Sequence, residues 1–177
     1  MEVEGWLKRG VTLLRRIGLE EGQIMLDFGC GKGNYALPAS IIVGEGGIIY
    51  ALDKNGWALD VLMRRARSHG LSNIVRMETS GEVDINLEES HVDMVLLYDV
   101  FWYFPIYDER LPRLLDEINR ICKPGGTLSV YPKHIDSEKL CVKITQHGFA
   151  LREICTCTLL HNGGLETDRI YNFTTNH

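Results

Sequence analysis

The sequence predicts an α/β fold in which a mostly parallel sheet is covered by helices and ends in an antiparallel hairpin. Three observations support this prediction. Apolar segments of strand length alternate with helical patterns from about residue 24 to 150, the order that produces a parallel sheet with crossover helices. These segments are almost continuously apolar, as expected for strands buried on both faces. After residue 148 the pattern changes to two strands joined by a turn.

The predicted elements follow one another in a regular order. The first 22 residues are predicted to form one amphipathic helix, whose apolar side chains include Trp6 and Leu14. Strands are then predicted over residues 24–28, 47–53, 73–78, 92–99 and 126–132. Helices are predicted at about 34–43, 56–69, 108–122 and 136–147. Two last strands, 149–160 and 168–174, flank the turn-forming segment HNGGLE at 161–166, a pattern typical of a hairpin.

The composition is that of one globular domain. The chain has 177 residues, of which 45% are hydrophobic and 24% are charged, enough to enclose a sizeable core. We expect a single domain made of an N-terminal helical segment (1–22), a cofactor-binding core (23–150) and a C-terminal hairpin (151–177).

Charge and hydropathy narrow the expected partners. The formal net charge is -5 and the basic residues are scattered, so nucleic acid is not an expected partner. No apolar run approaches the ~20 residues of a membrane span. Five cysteines at irregular spacing do not indicate a disulfide framework. We therefore expect a cytoplasmic protein with reduced thiols and no membrane association.

A glycine-rich loop follows the first predicted strand in the segment MLDFGCGKGNY, residues 25–35. Gly29, Gly31 and Gly33 allow the backbone to turn sharply and to come close to a ligand. Their spacing is G-x-G-x-G, whereas dinucleotide-binding loops have G-x-G-x-x-G. Position 34 is Asn where that pattern needs glycine. A nicotinamide-dependent oxidoreductase is therefore a less favoured alternative.

Two carboxylates accompany this loop. Asp53 ends the second strand, where a carboxylate can accept hydrogen bonds from both hydroxyls of a ribose. Asp27 lies at the end of the first strand, where it would repel a pyrophosphate but attract an ammonium or sulfonium group. A positively charged nucleoside is therefore the predicted ligand. The alternatives are that Asp53 caps a helix and that Asp27 pairs with a backbone group or a lysine.

Four segments occur in order over about residues 20–150: LDFGCGKG, YALDKN, VDMVLLYDV and ICKPGGTLSV. In this order and spacing the chain resembles the class I S-adenosylmethionine-dependent methyltransferases, most closely the small-molecule type that includes the ubiquinone- and menaquinone-biosynthesis enzymes. The resemblance implies a Rossmann-like, doubly wound, mostly parallel seven-stranded sheet. It also implies S-adenosylmethionine as cofactor and methyl transfer to an unidentified acceptor, expected to be a small molecule. It does not indicate an oligomeric state.

The resemblance also implies the residues around the cofactor. The loop and Asp27 would hold the methionine part and Asp53 the ribose, while Lys54 and Asn55 would flank the adenine. The family usually has Asp or Asn after the third strand, whereas this sequence has Ser80 and Gly81, so that Glu78 or Thr79 are alternatives. The full predicted set is Asp27, Gly29, Cys30, Gly31, Gly33, Asp53, Lys54, Ser80, Gly81 and Tyr98.

Aromatic residues dominate the segment YDVFWYFP, residues 98–105, at the end of the fourth strand. Ligands of open α/β sheets bind at this edge. Trp102 and Tyr103 are therefore candidates for substrate contact, while packing in the core is an equal alternative for Phe101 and Phe104.

Few catalytic side chains are expected, because a sulfonium methyl group is already activated and the protein mainly aligns the reactants. Asp99, Tyr103 and His134 are candidates for accepting a proton from the acceptor. No metal is expected, since Cys155 and Cys157 alternate on one strand as small core residues do. The alternative function is a non-catalytic S-adenosylmethionine-binding sensor or interaction domain.

Overall fold

The computed structural model describes residues 3–161 and 163–176. Helix α1 (Val3–Arg16) precedes an alternation of strands and helices. The elements that follow are β1 (Ile24–Phe28), α2 (Ala36–Val43), β2 (Ile48–Asp53), α3 (Gly56–Ser68), β3 (Ile74–Glu78), β4 (Val92–Tyr98), α4 (Arg110–Ile121), β5 (Cys122–Tyr131), α5 (Ser137–Gln146), β6 (Phe149–His161) and β7 (Gly164–Thr175). None of the helices in these described ranges is both long and apolar enough to cross a bilayer.

The strands form one seven-stranded sheet in the order β3-β2-β1-β4-β5-β7-β6. Strands β1 to β5 pair in parallel, while β7 is antiparallel to both β5 and β6. The predicted mixed, doubly wound sheet is therefore confirmed. Because β1 lies between β2 and β4, the strand order reverses there, and sheets of this type leave a ligand crevice at the carboxyl ends of the strands on either side.

Each face of the sheet has its own apolar core. Side chains alternate between the faces along a strand, so Met25 packs with the side of α1, α2 and α3, and Leu26 packs with the side of α4 and α5. Burial on both faces explains why the strands are almost continuously apolar. By the same alternation, Asp27 lies on the α2 and α3 side.

Helix α1 is shorter than predicted, since it ends at Arg16 rather than near residue 22. Gly18 has a φ of +98°, and two hydrogen bonds close the helix: Leu19 N donates to Leu14 O at 2.9 Å and Gly18 N donates to Arg15 O at 3.1 Å. This is a Schellman ending, which glycine favours because it has no Cβ. The predicted packing of Trp6 and Leu14 is confirmed, since both are buried.

Two strand boundaries also differ from the prediction. Strand β5 begins at Cys122 rather than 126, because Cys122 already pairs with Val92 before the register shifts. The predicted hairpin turn at 161–166 is mostly strand, since the pairing of β6 and β7 continues to His161 and Gly164. The remaining predicted helices and strands agree with the observed ones to within about two residues, the usual uncertainty of such boundaries.

Candidate functional site

A cavity of about 320 Å³ lies at the carboxyl ends of β1, β2 and β4, where the strand order reverses. This volume is in the range of small-molecule sites. Its wall combines apolar, acidic and basic side chains. The lining residues are Phe28, Gly29, Gly31, Leu52, Asp53, Lys54, Asn55, Ala58, Thr79, Gly81, Glu82, Asp99, Val100, Tyr103, Phe104 and Arg110.

The glycine loop is tied to β2 by its own backbone. The N–H groups of Gly29 and Cys30 donate to Leu52 O at 2.8 and 3.1 Å. The N–H of Gly31 donates to Asp53 Oδ2 at 2.7 Å. Loops that bind pyrophosphate direct such N–H groups at the ligand. Here the three N–H groups are bonded to Leu52 and Asp53 of β2 and do not point at a ligand. The Asp53 carboxylate lines the cavity next to them.

The glycines of the loop have different roles. Gly29 has a φ of +77°, and a Cβ there would lie 2.6 Å from Val100 Cγ1. A side chain at Gly29 would therefore collide with the cavity wall. A Cβ at Gly33 would lie 2.8 Å from Leu62 Cγ, so this glycine allows α3 to pack closely. Gly33 was predicted to bind the cofactor, but it does not line the cavity.

Asp53 is held in one orientation. Its Oδ1 accepts a hydrogen bond from Asn55 N at 2.8 Å, in addition to the bond from Gly31 to Oδ2. The N-cap of α3 is Asn55, whose side chain accepts from Ala58 N at 3.1 Å. The alternative that Asp53 caps this helix is therefore wrong. A carboxylate fixed by two backbone N–H groups at the rim of a cavity is suited to bind a diol such as ribose.

Asp27 is buried beneath the loop, with 3% of its surface exposed. The backbone N–H of Ala36 at the start of α2 favours the ionised form of Asp27 and lowers its pKa. Among the described residues, its Oδ2 atom has no hydrogen-bond partner. Burial, and then repulsion by Asp53, raises the pKa of Asp27 from 3.8 to about 7. A buried carboxylate oxygen without a partner is costly, and a cationic group close to it would remove that cost.

This pKa leads to a prediction for stability. Between about pH 4 and 7 the Asp27 carboxyl is ionised in the unfolded chain but still protonated in the folded one, so rising pH favours unfolding. Above pH 7 the carboxyl is ionised in both states and the burial penalty is fully present. Relative to Asp27→Asn, the wild type should lose on the order of 4 kcal/mol of unfolding free energy across this range, because one pKa unit corresponds to about 1.4 kcal/mol.

Urea denaturation of both proteins at a series of pH values would measure this difference. Asp84→Asn is a suitable control, since the Asp84 side chain is 76% exposed. A difference between wild type and Asp27→Asn that stays constant from pH 4 to 7 would show that the Asp27 pKa is not raised.

Asp99 borders the cavity directly after β4. It is a non-glycine residue with a φ of +57°. Its Oδ1 lies 2.6 Å from His161 Nδ1. Partial burial raises the pKa of Asp99, and the hydrogen bond to His161 opposes that shift. No pattern in the sequence indicates this pair, because the two residues are 62 positions apart and the pairing of β6 with β7 brings them together.

The aromatic segment after β4 is divided between the core and the surface. Phe101 and Phe104 are buried, whereas Trp102 and Tyr103 are exposed. Phe101 does not line the cavity, which agrees with the packing alternative for that residue. Tyr103 and Phe104 line the cavity. Lys54 Nζ lies 4.0 Å from the centre of the Tyr103 ring. This contact joins the loop after β2 to the loop after β4 across the cavity.

Several other predicted residues lie elsewhere. The side chain of Cys30, within the glycine loop, is buried. Tyr98 is also buried, with its hydroxyl 2.7 Å from Ser129 Oγ. Ser80 is exposed and does not line the cavity, although Thr79 and Gly81 do. His134 also lies outside the lining residues, because it stacks on Trp102 with ring centres 4.1 Å apart.

The structure adds Glu82 and Arg110 to the cavity wall. Neither belongs to a recognisable motif, so no signal in the sequence identified them.

Cys155 and Cys157 lie on the same face of β6, as predicted, and their sulfurs are 3.4 Å apart. Within residues 3–161 and 163–176, no group of three or more His, Cys, Asp or Glu side chains is arranged to hold a metal ion.

Comparison with known proteins gives one family and a consistent fold. Residues 26–130 match the family model described as a methyltransferase domain. A demethylmenaquinone methyltransferase of Geobacillus kaustophilus is 28% identical over 120 residues, which are 68% of this chain and 49% of that protein. A probable cobalt-precorrin-6B C(15)-methyltransferase of Saccharolobus solfataricus is 29% identical over 85 residues, 48% of this chain and 43% of that protein. The chain thus matches less than half the length of these relatives.

Solved structures agree in fold. A SAM-dependent methyltransferase from Aquifex aeolicus superimposes with a TM-score of 0.71 at 22% identity, covering 94% of this chain and 88% of that one. A SAM-dependent methyltransferase from Methanosarcina mazei gives a TM-score of 0.74 at 16% identity, covering 92% and 96%. At these identities the comparison establishes the likeness of the fold.

Proposed function

The chain belongs to the class I S-adenosylmethionine-dependent methyltransferases, and from this premise we propose that it transfers a methyl group from S-adenosylmethionine to a small-molecule acceptor. One observation carries the proposal: the Asp53 carboxylate is fixed at the cavity rim, close to a glycine loop whose N–H groups are already bonded. This arrangement favours a nucleoside without a pyrophosphate.

The residues present fit this cofactor. Asp53 would accept hydrogen bonds from the ribose hydroxyls. Thr79, Gly81 and Glu82 line the part of the cavity next to β3 and would surround the adenine. The unpartnered Oδ2 of Asp27 would attract the cationic methionine part from beneath the loop. Cys30, Gly33, Ser80 and Tyr98 do not line the cavity and have no assigned role in this set. Asp27 does not line the cavity either, and its role would be an electrostatic one, exerted from beneath the loop.

When bound, S-adenosylmethionine supplies a methyl group activated by its sulfonium. The protein contributes alignment and a partly apolar wall, in which Phe28, Val100 and Phe104 exclude water from the reacting atoms. Asp99 is a carboxylate at this wall, and partial burial raises its pKa, which makes it a better proton acceptor than an ordinary surface carboxylate. We propose Asp99 as the proton acceptor, with Tyr103 as part of the same cavity wall.

Ligand stabilisation tests the cofactor assignment. S-adenosylhomocysteine at about 100 times its dissociation constant should stabilise the protein by about 2.7 kcal/mol. For a domain of this size, this corresponds to a rise of roughly 5–10 °C in Tm. NAD at the same concentration should leave Tm unchanged, because the bonded N–H groups of the loop leave no cradle for its pyrophosphate. Stabilisation by NAD and none by S-adenosylhomocysteine would reject the proposal.

A second measurement separates an enzyme from a sensor. The protein is incubated with S-adenosylmethionine and a cell extract passed through a filter that removes macromolecules, and S-adenosylhomocysteine release is measured. An enzyme with a small-molecule acceptor should release it at a rate that depends on the extract. Tight cofactor binding without release would support the non-catalytic sensor instead.

A further inference from the structure

The described residues 79–91 join β3 to β4 without a helix or a strand, and they are called the β3–β4 segment below. The first part of this segment borders the cavity through Thr79, Gly81 and Glu82. Further along, Ile85 is buried in the core on the α4 side of the sheet. The backbone N–H and C=O groups of a buried segment need hydrogen-bond partners, and a segment outside the sheet cannot obtain them from a neighbouring strand.

Two side chains of α4 supply such partners. Arg120 donates through Nη1 to Leu87 O and through Nη2 to Ile85 O, both at 2.9 Å. Glu117 accepts a hydrogen bond from Ile85 N at 3.0 Å. The two side chains also bind each other, because Arg120 Nε and Nη2 donate to the two carboxylate oxygens of Glu117 at 2.8 and 2.9 Å. The planar guanidinium is thereby held in one orientation, as the flexible ammonium of a lysine would not be.

The main chain of α4 attaches the end of the same segment. Ser90 N donates to Arg120 O at 2.9 Å, and His91 N donates to Ile121 O at 2.7 Å. Ser90 has a φ of +52°, an unfavourable conformation for a non-glycine residue that persists where the surrounding structure holds it. The middle and the end of the β3–β4 segment are therefore fixed to the same turn of α4.

The attachment point lies close to the cavity along the chain. Ile85, which Arg120 and Glu117 both bind, is three residues from Glu82 in the cavity wall. Three residues span at most about 11 Å, and Val83 between them is buried with 1% of its surface exposed. A shift of Ile85 is therefore passed on to Glu82.

We propose that Arg120 and Glu117 position Glu82 and thereby set the selectivity of the cavity for adenine over related bases. This inference rests on the proposed function, in which Glu82 is one of the residues around the adenine. An ionised carboxylate can only accept hydrogen bonds. It therefore favours the exocyclic amino group of adenine over the carbonyl oxygen that hypoxanthine has at the same ring position. Arg120 and Glu117 do not line the cavity, so they are positioning residues.

Calorimetric titration with two ligands tests this inference. S-adenosylhomocysteine carries adenine, and S-inosylhomocysteine carries hypoxanthine on the same ribose and homocysteine. The wild type should bind S-adenosylhomocysteine at least about ten-fold more tightly than S-inosylhomocysteine. Arg120→Met removes the guanidinium but keeps an apolar stem. It should weaken S-adenosylhomocysteine at least about ten-fold and change S-inosylhomocysteine by no more than about three-fold, because only the first ligand gains from the position of Glu82.

Arg113→Met is the matched control. Arg113 lies on the same helix and is 3.8 Å from Asp84 of the same segment, but both side chains are exposed. Its affinities for the two ligands should equal those of the wild type. In Arg120→Lys the ammonium can reach one carbonyl, so S-adenosylhomocysteine should bind with an affinity between those of the wild type and Arg120→Met. Circular dichroism establishes which variants are folded, and Arg120→Lys decides the test if Arg120→Met does not fold.

Hydrogen exchange measures the positioning itself. In the ligand-free protein, the Ile85 amide should exchange at least about ten-fold faster in Arg120→Met than in the wild type. In Arg113→Met it should exchange at the rate of the wild type. Equal rates in Arg120→Met and the wild type would mean that Arg120 does not hold the β3–β4 segment, and the inference would fall.

The outcomes separate this inference from the proposed function. Failure of the wild type to bind S-adenosylhomocysteine would overturn the proposed function itself. With normal binding of S-adenosylhomocysteine, a wild type without preference for adenine would overturn the inference alone. Unchanged selectivity in the folded Arg120 variants, or the same loss of selectivity in Arg113→Met, would do so as well.

Discussion

Replacing Asp53 by alanine is expected to weaken S-adenosylhomocysteine binding at least about 100-fold, the largest effect that we expect from a change in the site. The carboxylate is held at 2.7 and 2.8 Å by the N–H groups of Gly31 and Asn55, so it needs no reorganisation to accept the ribose hydroxyls. A hydrogen bond to a charged group contributes about 1.5–3 kcal/mol. Loss of two such bonds exceeds about 3 kcal/mol, which is about 100-fold in affinity.

Isothermal titration calorimetry with S-adenosylhomocysteine measures this loss. Asp60→Ala is the matched control, since Asp60 is an exposed carboxylate on α3 that pairs with Arg76 at 3.4 Å. Thermal melting of the ligand-free variants distinguishes lost binding from lost folding. If folded Asp53→Ala bound within three-fold of the wild type, Asp53 would have no role in ribose binding.

The substitution Gly29→Ala is expected to lower the free energy of unfolding by on the order of 3 kcal/mol. The φ of +77° at this position costs an L-residue about 1–2 kcal/mol. The added Cβ would also lie 2.6 Å from Val100 Cγ1, and overpacking of this kind costs about 1–3 kcal/mol. Urea denaturation with a constant m-value would report the change.

Two further variants separate the strain from the collision. Gly31→Ala shares the backbone problem, with a φ of +53°, but its Cβ would meet no atom within 4 Å, so its loss should be about 1–2 kcal/mol. In the double variant Gly29→Ala/Val100→Ala, removal of the Val100 Cγ atoms should recover at least about 1 kcal/mol relative to additivity. Additive effects of the two changes would mean that the contact with Val100 does not limit the loop.

The elements of the fold were predictable because their signals are local. Strand β4 is a continuous apolar run, and α4 repeats leucine and isoleucine at helical spacing. The two boundary errors arose where pairing with another strand decided the outcome, as at Cys122, which pairs with Val92. The early end of α1 carried a local signal that the prediction did not use, namely Gly18.

The residues predicted for the site also divide into those with a local sequence signal and those without one. Asp53 and the glycine loop could be placed because a strand, a turn and a helix follow one another within a short segment. Ser80, Cys30 and Tyr98 were placed by position alone, and the direction of their side chains was not predictable. Tyr98 does not line the cavity, and its hydroxyl joins a buried network with Ser129 that extends to Asn172.

By itself, the sequence determined the alternation of strands and helices, the mixed sheet, the family, and the position of the glycine loop and Asp53 at the sheet edge, because hydrophobic periodicity and turn chemistry act over a few neighbouring residues. Only the tertiary structure decided which side chains meet at the edge of the cavity that follows β4. His161 reaches Asp99 because β7 inserts between β5 and β6 and carries the end of β6 to the edge of the cavity. Contacts of this kind depend on strand order and register, which join residues far apart in the chain and leave no pattern along it.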